Sequence, residues 1–277
     1  MRLFISYPKS GRTWLRFMIN SAIARVERTR VSNVFEIESR VKGGPFEINW
    51  THLTAAMVSR RPYYAIGGVD PRSINAHPCL FLTRNVYETL ASAYFQAVKR
   101  IRVFNDSPSA FVRDPRYGAA KIVSFYNLIA DLRPTIIDWT EFSYEAVRAH
   151  PVREVTRLFE AVGLPSERAF VKAILADSTR DRMAELGAAG AYAGTPLAPT
   201  DPTDPESAKV RGNAARRWHE LFTVEDQRHI RRTIESLAVD PGEPWYRLPA
   251  SRPEPEIKPE RRVTNSGDAW RLVALAG

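Results

Sequence analysis

The densest group of residues that could do chemistry lies in the segment Tyr7–Trp14 (YPKSGRTW). The segment combines two cations, two hydroxyls, one glycine and a flat indole: Lys9, Ser10, Gly11, Arg12, Thr13 and Trp14. A glycine lets the backbone approach an anion closely, and N–H groups at a helix N-terminus bind phosphate. The segment therefore predicts an anion-binding turn, with the indole as a surface for a base. The alternative is an ordinary turn in which Ser10 and Thr13 only cap a helix.

The residues on either side of this segment predict a strand and a helix. Met1–Ser6 is apolar and stops at Pro8, as a buried strand running into a loop would. One apolar stripe at helical spacing follows, made of Leu15, Met18, Ile19, Ala22, Ile23 and Val26. Because ligands of open parallel sheets bind at the carboxyl ends of the strands, this turn is the expected site.

Short apolar runs alternate with helical stripes along the rest of the chain. Further strands are expected at 46–50, 63–66, 79–83 and 135–138, and further helices at 85–101, 122–132, 151–163 and 223–237. This alternation predicts a single α/β domain over residues 1–250, with a central, mostly parallel sheet and helices on both faces. Residues 184–209 are expected to form a mobile loop over the acceptor, and residues 251–277 a C-terminal tail.

Composition narrows the class of protein. The 277 residues are 44% hydrophobic and 26% charged, as in soluble globular proteins, and the net charge is +9. Arginine accounts for 33 of the 40 basic residues, which suits gripping phosphate or sulfate but also fits an arginine-rich coding bias. The single cysteine excludes an intramolecular disulfide and a cysteine-based zinc site. No apolar run is long enough for a membrane helix, so a cytoplasmic location is expected.

A second group that could bind an anion is formed by Arg84 and Ser92. If Asn85 caps the following helix, positions 85, 88 and 92 share one face, and Ser92 looks back toward the end of the strand. A guanidinium and a hydroxyl would then converge on one anion. The alternative is a capped helix with an exposed arginine and a small packing serine.

These two groups resemble motifs of the sulfotransferases that use 3′-phosphoadenosine 5′-phosphosulfate (PAPS). The first is similar to the 5′-phosphosulfate loop, close to Y-P-K-S-G-T-T-W, with Arg12 in place of the first threonine. The second is similar to the arginine and serine that hold the 3′-phosphate. The resemblance implies the P-loop-like sulfotransferase fold and PAPS as the sulfuryl donor.

Three further segments resemble the same family in part. Tyr144-Glu145 with Pro151 is similar to Y-E-D-x-x-x-x-P, whose tyrosine lies beside the adenine, although a core tyrosine is equally compatible. Ser178 lies in a segment that weakly matches one bordering the adenine. The second 3′-phosphate loop resembles residues 210–223, which implies roles for Arg211, Gly212 and Asn213; a basic surface loop is the alternative.

His52 is the candidate for the catalytic base. Sulfuryl transfer requires removal of the acceptor's proton, and neutral histidine suits this near pH 7. The stretch Trp50-Thr51-His52-Leu53 resembles the family's K-[ST]-H-L-P, whose histidine is the base. His77 and a carboxylate such as Glu47 remain alternatives.

The resemblance implies sulfuryl transfer from PAPS to a hydroxyl or amine of a small molecule, with Lys9 stabilising the leaving phosphate and no metal required. Six aromatic residues are candidates for an apolar acceptor pocket: Phe46, Trp50, Tyr63, Tyr64, Phe95 and Tyr117. Two other functions stay open. One is a P-loop-type kinase or hydrolase with Asp138 as its magnesium ligand, and the other is a basic nucleic-acid-binding protein. The oligomeric state is open as well, because His219 and Arg228 stand where the family's dimer motif has its charged ends.

Overall fold

The core of the molecule is a four-stranded sheet in which every pair of neighbours is parallel. The computed structural model describes residues 1–189, 192–201, 203–204, 207–208 and 217–249. The strands are β1 (Arg2–Ser6), β2 (Ile48–Thr51), β3 (Cys79–Thr83) and β4 (Trp139–Ser143), in the order β2-β1-β3-β4. Because all four run the same way, their carboxyl ends lie at one edge of the sheet.

Helices surround this sheet. In chain order they are α1 (Arg12–Val26), α2 (Ile37–Arg40), α3 (Pro71–Asn75), α4 (Val86–Phe95), α5 (Pro108–Arg113), α6 (Ala119–Leu132), α7 (Tyr144–Ala149), α8 (Pro151–Val162), α9 (Arg168–Asp177), α10 (Arg180–Ala188), α11 (Trp218–Leu221) and α12 (Val224–Leu237). A π-helical turn, Gln96–Arg100, prolongs α4.

The strands alternate their side chains between two cores, one on each face. In β1, Leu3 and Ile5 enter the layer that contains α4, α6 and α12, whereas Phe4 enters the layer that contains α1, α8 and α9. β3 does the same with Phe81 on one side and Leu80 on the other. Such strands read as continuous apolar runs because both faces are covered. The predicted α/β domain with a parallel sheet and helices on both faces is confirmed.

Two of the predicted strands are wrong. Tyr63–Ala65 is a short 3-10 helix, in which the amide of Ala65 donates to the carbonyl of Pro62. Arg133–Thr135 is also a 3-10 turn, and Ile137 is 91% exposed, so the fourth strand begins only at Trp139. A short apolar run does not distinguish a buried strand from a turn without its tertiary neighbours.

The segment expected to be a mobile loop, residues 184–209, is partly helical and partly attached to α4. Helix α10 continues through Ala188. The Arg100 guanidinium donates to the carbonyls of Ala198 at 3.0 Å and Ser207 at 2.6 Å, and Lys99 pairs with Asp204 at 2.9 Å. Movement of the segment stays a prediction, and the tail 251–277 lies outside the described residues.

Within the described ranges, no helix is both long and apolar enough to cross a membrane.

The carboxylate of Asp226 fastens α12 to α5. Its oxygens accept hydrogen bonds from the Ser109 hydroxyl at 2.7 Å, the Thr223 hydroxyl at 2.8 Å and the Arg113 guanidinium. Burial by itself raises the pKa of Asp226, but these hydrogen bonds outweigh it and lower that pKa to about 2. The charged carboxylate therefore stabilises the folded state at every pH above its unfolded pKa.

We predict that Asp226→Asn removes an acid-sensitive part of the stability. Because the folded-state pKa is lower than the unfolded one, the contribution is complete above about pH 4 and is lost as the pH falls toward about 2. Between these two pH values the free energy of unfolding of the wild type should fall by about 1–2 kcal/mol. The variant lacks this contribution already at neutral pH. Urea unfolding at several pH values measures this, with the exposed Asp131→Asn as control. Parallel pH profiles for wild type and Asp226→Asn would contradict the assignment.

Candidate anion-binding site

The turn between β1 and α1 has an unusual backbone. Lys9 has φ of 73° and Gly11 has φ of 94°, so two residues of this short turn lie in the left-handed region. Helix α1 then begins at Arg12 with no side-chain cap and no acidic residue in its first turn. The N-terminus of a long, uncapped helix carries partial positive charge and N–H donors, which suits a phosphate.

The ring of Tyr144 lies directly on Gly11. A Cβ atom at position 11 would come within 2.3 Å of Tyr144 Cδ2, so glycine is required both by the contact and by the positive φ. Tyr144 opens α7 immediately after β4, at the same edge of the sheet as the turn. The structure thus brings together two segments that the sequence placed more than a hundred residues apart.

Arg84 joins the end of β3 to this turn. Its Nη1 donates to the main-chain carbonyl of Lys9 at 2.9 Å, and its Cζ lies 4.4 Å from the centre of the Tyr144 ring. Nη2 reaches Glu88 at 3.4 Å. Its Nε is buried and has no hydrogen-bond partner among the described residues. The guanidinium is therefore fixed at the site with donor capacity left over.

Tyr126, on α6, holds the backbone of Arg84. Its hydroxyl accepts a hydrogen bond from the Arg84 amide at 3.1 Å and donates one to the Arg84 carbonyl at 2.9 Å. The Tyr126 ring is 3% exposed and stacks on Trp245 at 5.2 Å. In the sequence Tyr126 belongs to the apolar stripe of the helix predicted over 122–132. A tyrosine at a buried position of that stripe needs a hydrogen-bond partner for its hydroxyl, and this requirement could have pointed to Tyr126.

The predicted N-cap at Asn85 is confirmed. Its side-chain oxygen accepts from the main-chain amides of Tyr87 and Glu88, while its main-chain N–H donates to Glu145 Oε1 at 3.0 Å. Ser92 is buried on the same helix, at 7% exposure. One turn later Gln96 Oε1 accepts from Lys9 Nζ at 3.3 Å, so this face of α4 looks toward the turn. Gln96 was not among the predicted residues.

Trp14 and Ser178 are in contact, but through the serine main chain. The indole Nε1 donates to the Ser178 carbonyl at 2.9 Å, and the indole meets Tyr144 edge-on with the ring centres 6.1 Å apart. The Ser178 hydroxyl donates to the Ile174 carbonyl of its own helix at 2.9 Å. Ser178 therefore orients Trp14, and its hydroxyl is already engaged.

His52 lies at the end of β2, beside the end of β1. Its Nδ1 is 2.7 Å from the main-chain carbonyl of Ser6. Because a carbonyl can only accept, this contact requires the proton on Nδ1 and makes Nε2 the proton acceptor of the neutral ring. The two alternatives lie at the opposite edge, since Glu47 precedes β2 and His77 precedes β3. The parallel sheet therefore separates both from the turn.

Arg12 resembles Arg84 in keeping one buried nitrogen without a hydrogen-bond partner among the described residues. In Arg12 this atom is Nη1. Burial, together with neighbouring Arg16, lowers the pKa of Arg12 to about 10, opposed by Glu38. Glu38 itself is occupied by Arg16 and by the amide of Asn20. A buried guanidinium nitrogen without a partner, beside an uncapped helix start, is an arrangement that suits an anion.

The other predicted residues have different outcomes. Ser10 is buried and Thr13 is half-buried, and both lie at the turn. Arg211, Gly212 and Asn213 lie outside the described residues. The six aromatic candidates do not line one pocket, because Phe46 and Trp50 pack in one layer and Phe95 and Tyr117 in the other, while Tyr64 is 76% exposed.

Two solved proteins have a fold similar to that of this chain. Mouse sulfotransferase SULT7A1, crystallised in complex with PAP, superposes with a TM-score of 0.56 at 15% identity, covering 85% of this chain and 83% of that chain. Retinol dehydratase, in complex with androsterone and the inactive cofactor PAP, superposes with a TM-score of 0.53 at 12% identity, covering 87% and 82%. No protein-family model matches the chain, and no curated protein matches it.

The chain therefore has the sulfotransferase fold: one α/β domain whose central sheet is parallel and enclosed by helices.

We predict that Tyr126→Phe destabilises the protein by about 1–3 kcal/mol, because the amide and carbonyl of Arg84 would lose their shared buried partner. Urea unfolding measures the change. Tyr64→Phe, at an exposed ring, is the matched control and should stay within about 0.5 kcal/mol of the wild type. Equal stability of Tyr126→Phe and wild type would show that the two hydrogen bonds contribute nothing.

Proposed function

We propose that the chain is a PAPS-dependent sulfotransferase that transfers a sulfuryl group to a hydroxyl or amine of a small-molecule acceptor. The observation that carries this proposal is the turn Tyr7–Gly11 with its uncapped helix, onto which Arg84 and Tyr144 converge. Solved proteins with the same fold hold PAP, the product left when PAPS loses its sulfuryl group.

The residues present fit this donor. The buried donor atoms without partners, Arg12 Nη1 and Arg84 Nε, call for an anion. Lys9, Ser10, Gly11, Arg12 and Thr13 would hold the 5′-phosphosulfate, and Arg84 and Ser92 the 3′-phosphate. Trp14 and Tyr144 border this site and are the aromatic side chains that would lie beside the adenine. When bound, PAPS would supply a sulfuryl group joined to a phosphate oxygen that leaves readily.

Different residues of the chain would serve the separate needs of an in-line displacement at sulfur. His52 Nε2 takes the proton of the acceptor hydroxyl or amine, because Nδ1–H is held by the Ser6 carbonyl. Protonated His52 carries an N–H on each ring nitrogen, and Nδ1–H keeps its hydrogen bond to the Ser6 carbonyl. Lys9 and the N-terminus of α1 stabilise negative charge on the departing phosphate oxygen. The Gln96 contact orients Lys9 at 3.3 Å.

A kinase or hydrolase is less well supported by these residues. The turn has its lysine before its one glycine, whereas the Walker loop needs the lysine after a second glycine. Asp138, the candidate magnesium ligand, precedes β4 and so lies at the edge of the sheet opposite the turn. Glu145 is at the correct edge, but its oxygens accept from the Asn85 amide and the Ser143 hydroxyl.

A nucleic-acid-binding function is not favoured by the distribution of charge. Many arginines are engaged by carboxylates on different surfaces, for example Arg25 with Asp177 and Arg157 with Glu154. Such pairs neutralise charge locally, and the arginines are spread along the whole sequence with no basic block interleaved with aromatic residues.

We predict that Lys9→Ala and His52→Ala each lower turnover by about two to four orders of magnitude. The measurement is transfer of labelled sulfate from PAPS to a panel of hydroxyl and amine acceptors, read by mass spectrometry. Lys42→Ala and His77→Ala, an exposed lysine and a histidine at the far edge, are the matched controls and should keep wild-type rates. Wild-type turnover by either site variant would refute that residue's role.

We predict that Arg84→Ala weakens binding of PAP about tenfold to a hundredfold, because charge-assisted hydrogen bonds to phosphate are lost. Calorimetric titration with PAP measures the affinity, and adenosine 5′-monophosphate shows how much depends on the 3′-phosphate. Arg72→Ala, whose side chain is 92% exposed at the opposite edge, is the control. Equal loss of affinity for both nucleotides would place Arg84 away from the 3′-phosphate.

A further inference from the structure

Lys121 is a fully buried lysine that the proposed reaction does not use. It lies in the first turn of α6 and is 0% exposed, within the layer that also contains Tyr7, Ala55 and Phe125. Lysines are almost never fully buried unless they are paired. Burial also lowers the pKa of Lys121 to about 8, against the influence of Asp114. The free-energy cost of burying this charge must be offset by an interaction or by a function.

The ammonium of Lys121 is poorly satisfied by the described residues. Nζ donates to the carbonyl of Ala56 at 3.5 Å, the outer limit of a hydrogen bond, and lies 5.9 Å from the centre of the Tyr117 ring. An ammonium has three N–H donors. The carboxylate of Asp114 attracts the Lys121 ammonium electrostatically, but it forms its ion pair with Arg116, at 2.8 Å. The charge therefore lacks the anion that burial demands.

Two further features around Lys121 also favour an anion. The hydroxyl of Tyr117, one turn before Lys121, is buried with no hydrogen-bond partner among the described residues. Helix α6 begins behind Gly118 with no side-chain cap, and Lys121 belongs to its first turn, where the helix dipole is positive. A cation, a phenolic donor and a helix N-terminus are the groups that together bind a carboxylate.

This group lies beside the proposed base. Ala56, which contacts Lys121, belongs to the turn that follows His52, and the Ala55 amide donates to the His52 carbonyl at 2.9 Å. On the same face of α6, one turn beyond Lys121, Phe125 meets Tyr7 with the ring centres 5.5 Å apart. Lys121 is thus packed between the turn after His52 and the residues that continue β1.

The cover over Lys121 is a strained segment, residues 53–60. Leu53 at φ of 48° and Arg60 at φ of 51° are both in the left-handed region, which costs free energy for residues other than glycine. Between them Ala56 is half-exposed and Val58 is 70% exposed. Ala55 and Met57 of this segment are buried in the core, so moving it aside requires these two side chains to leave their packing, whereas relief of the strain at Leu53 and Arg60 favours the change.

We propose that Lys121, with the Tyr117 hydroxyl, binds a carboxylate of the acceptor, so that the acceptor is a hydroxylated or aminated carboxylic acid. This rests on the proposed sulfuryl transfer and specifies its substrate class. The carboxylate replaces the Ala56 carbonyl at Lys121 Nζ, segment 53–60 moves aside, and the acceptor's hydroxyl or amine faces His52. The ammonium contributes binding and orientation and takes no proton in the reaction.

The test compares carboxylates with their amides. The probes are para-hydroxyphenylacetate and ω-hydroxydecanoate, one aromatic and one lipid-like, each beside its neutral amide. Binding is measured by calorimetry on the full chain in the presence of PAP, and turnover by mass spectrometry with PAPS. The variants are Lys121→Met, which keeps the length without the charge, Tyr117→Phe, which removes one hydroxyl, and the exposed Lys42→Met as control.

The wild type and Lys42→Met should prefer at least one carboxylate over its amide by about tenfold or more in Kd and in kcat/KM. Lys121→Met should abolish that preference while leaving PAP affinity unchanged and thermal stability unchanged or raised. Tyr117→Phe should reduce the preference about threefold to tenfold without affecting the fold.

Three results would overturn the assignment of Lys121. These are no carboxylate preference in the wild type, an undiminished preference in Lys121→Met, or binding of neither carboxylate. If Lys121→Met fails to fold, Tyr117→Phe decides by the same criterion. Failure of the proposed function looks different, because the wild type would then not bind PAP at all.

Discussion

One guanidinium connects the three strand ends on which the site depends. The parallel register of β1 and β3 pairs Ser6 with Leu82, so that the turn after β1 and the residue after β3 emerge side by side. Arg84 then donates to the carbonyl of Lys9 and lies on the ring of Tyr144, which in turn covers Gly11. Three strand ends are thereby fixed relative to one another before any ligand arrives. Such preorganisation reduces the entropic cost of ordering the site when a ligand binds.

The same site carries an electrostatic imbalance. Arg12 and Arg84 each keep a buried nitrogen without a partner in the described part of the chain, and α1 begins with no acidic residue. A folded protein that leaves cations under-neutralised at one edge of its sheet loses stability there, and an anionic ligand offsets that loss. The network around Asp226 shows the opposite case, a buried charge whose hydrogen bonds are complete. The contrast between the two supports the proposal that the turn binds an anion.

Helix α6 links the two halves of the proposed site. Its first turn carries Lys121 beneath the segment after His52, and its middle carries Phe125 against Tyr7 and Tyr126 against the backbone of Arg84. A single rigid element thus contacts the region proposed for the acceptor and the arginine proposed for the donor. Their distance is set by the rise of one helix, and a buried helix keeps that distance constant.

The sequence by itself determined the fold class and identified the turn between β1 and α1 as a candidate anion site. Period and composition were enough for α1, β3 and the Asn85 cap, because these are local properties of apolar spacing and hydrogen bonding to the next turn. The tertiary structure alone decided the rest. The apolar runs at 63–66 and 135–138 form turns rather than strands. Glu47 and His77 lie at the edge of the sheet opposite the turn after β1, and the Ser6 carbonyl determines the tautomer of His52. The tertiary structure also revealed that Tyr126 and Lys121 carry buried polar groups. Contacts between residues far apart in the chain depend on strand order and register, and no local pattern encodes those.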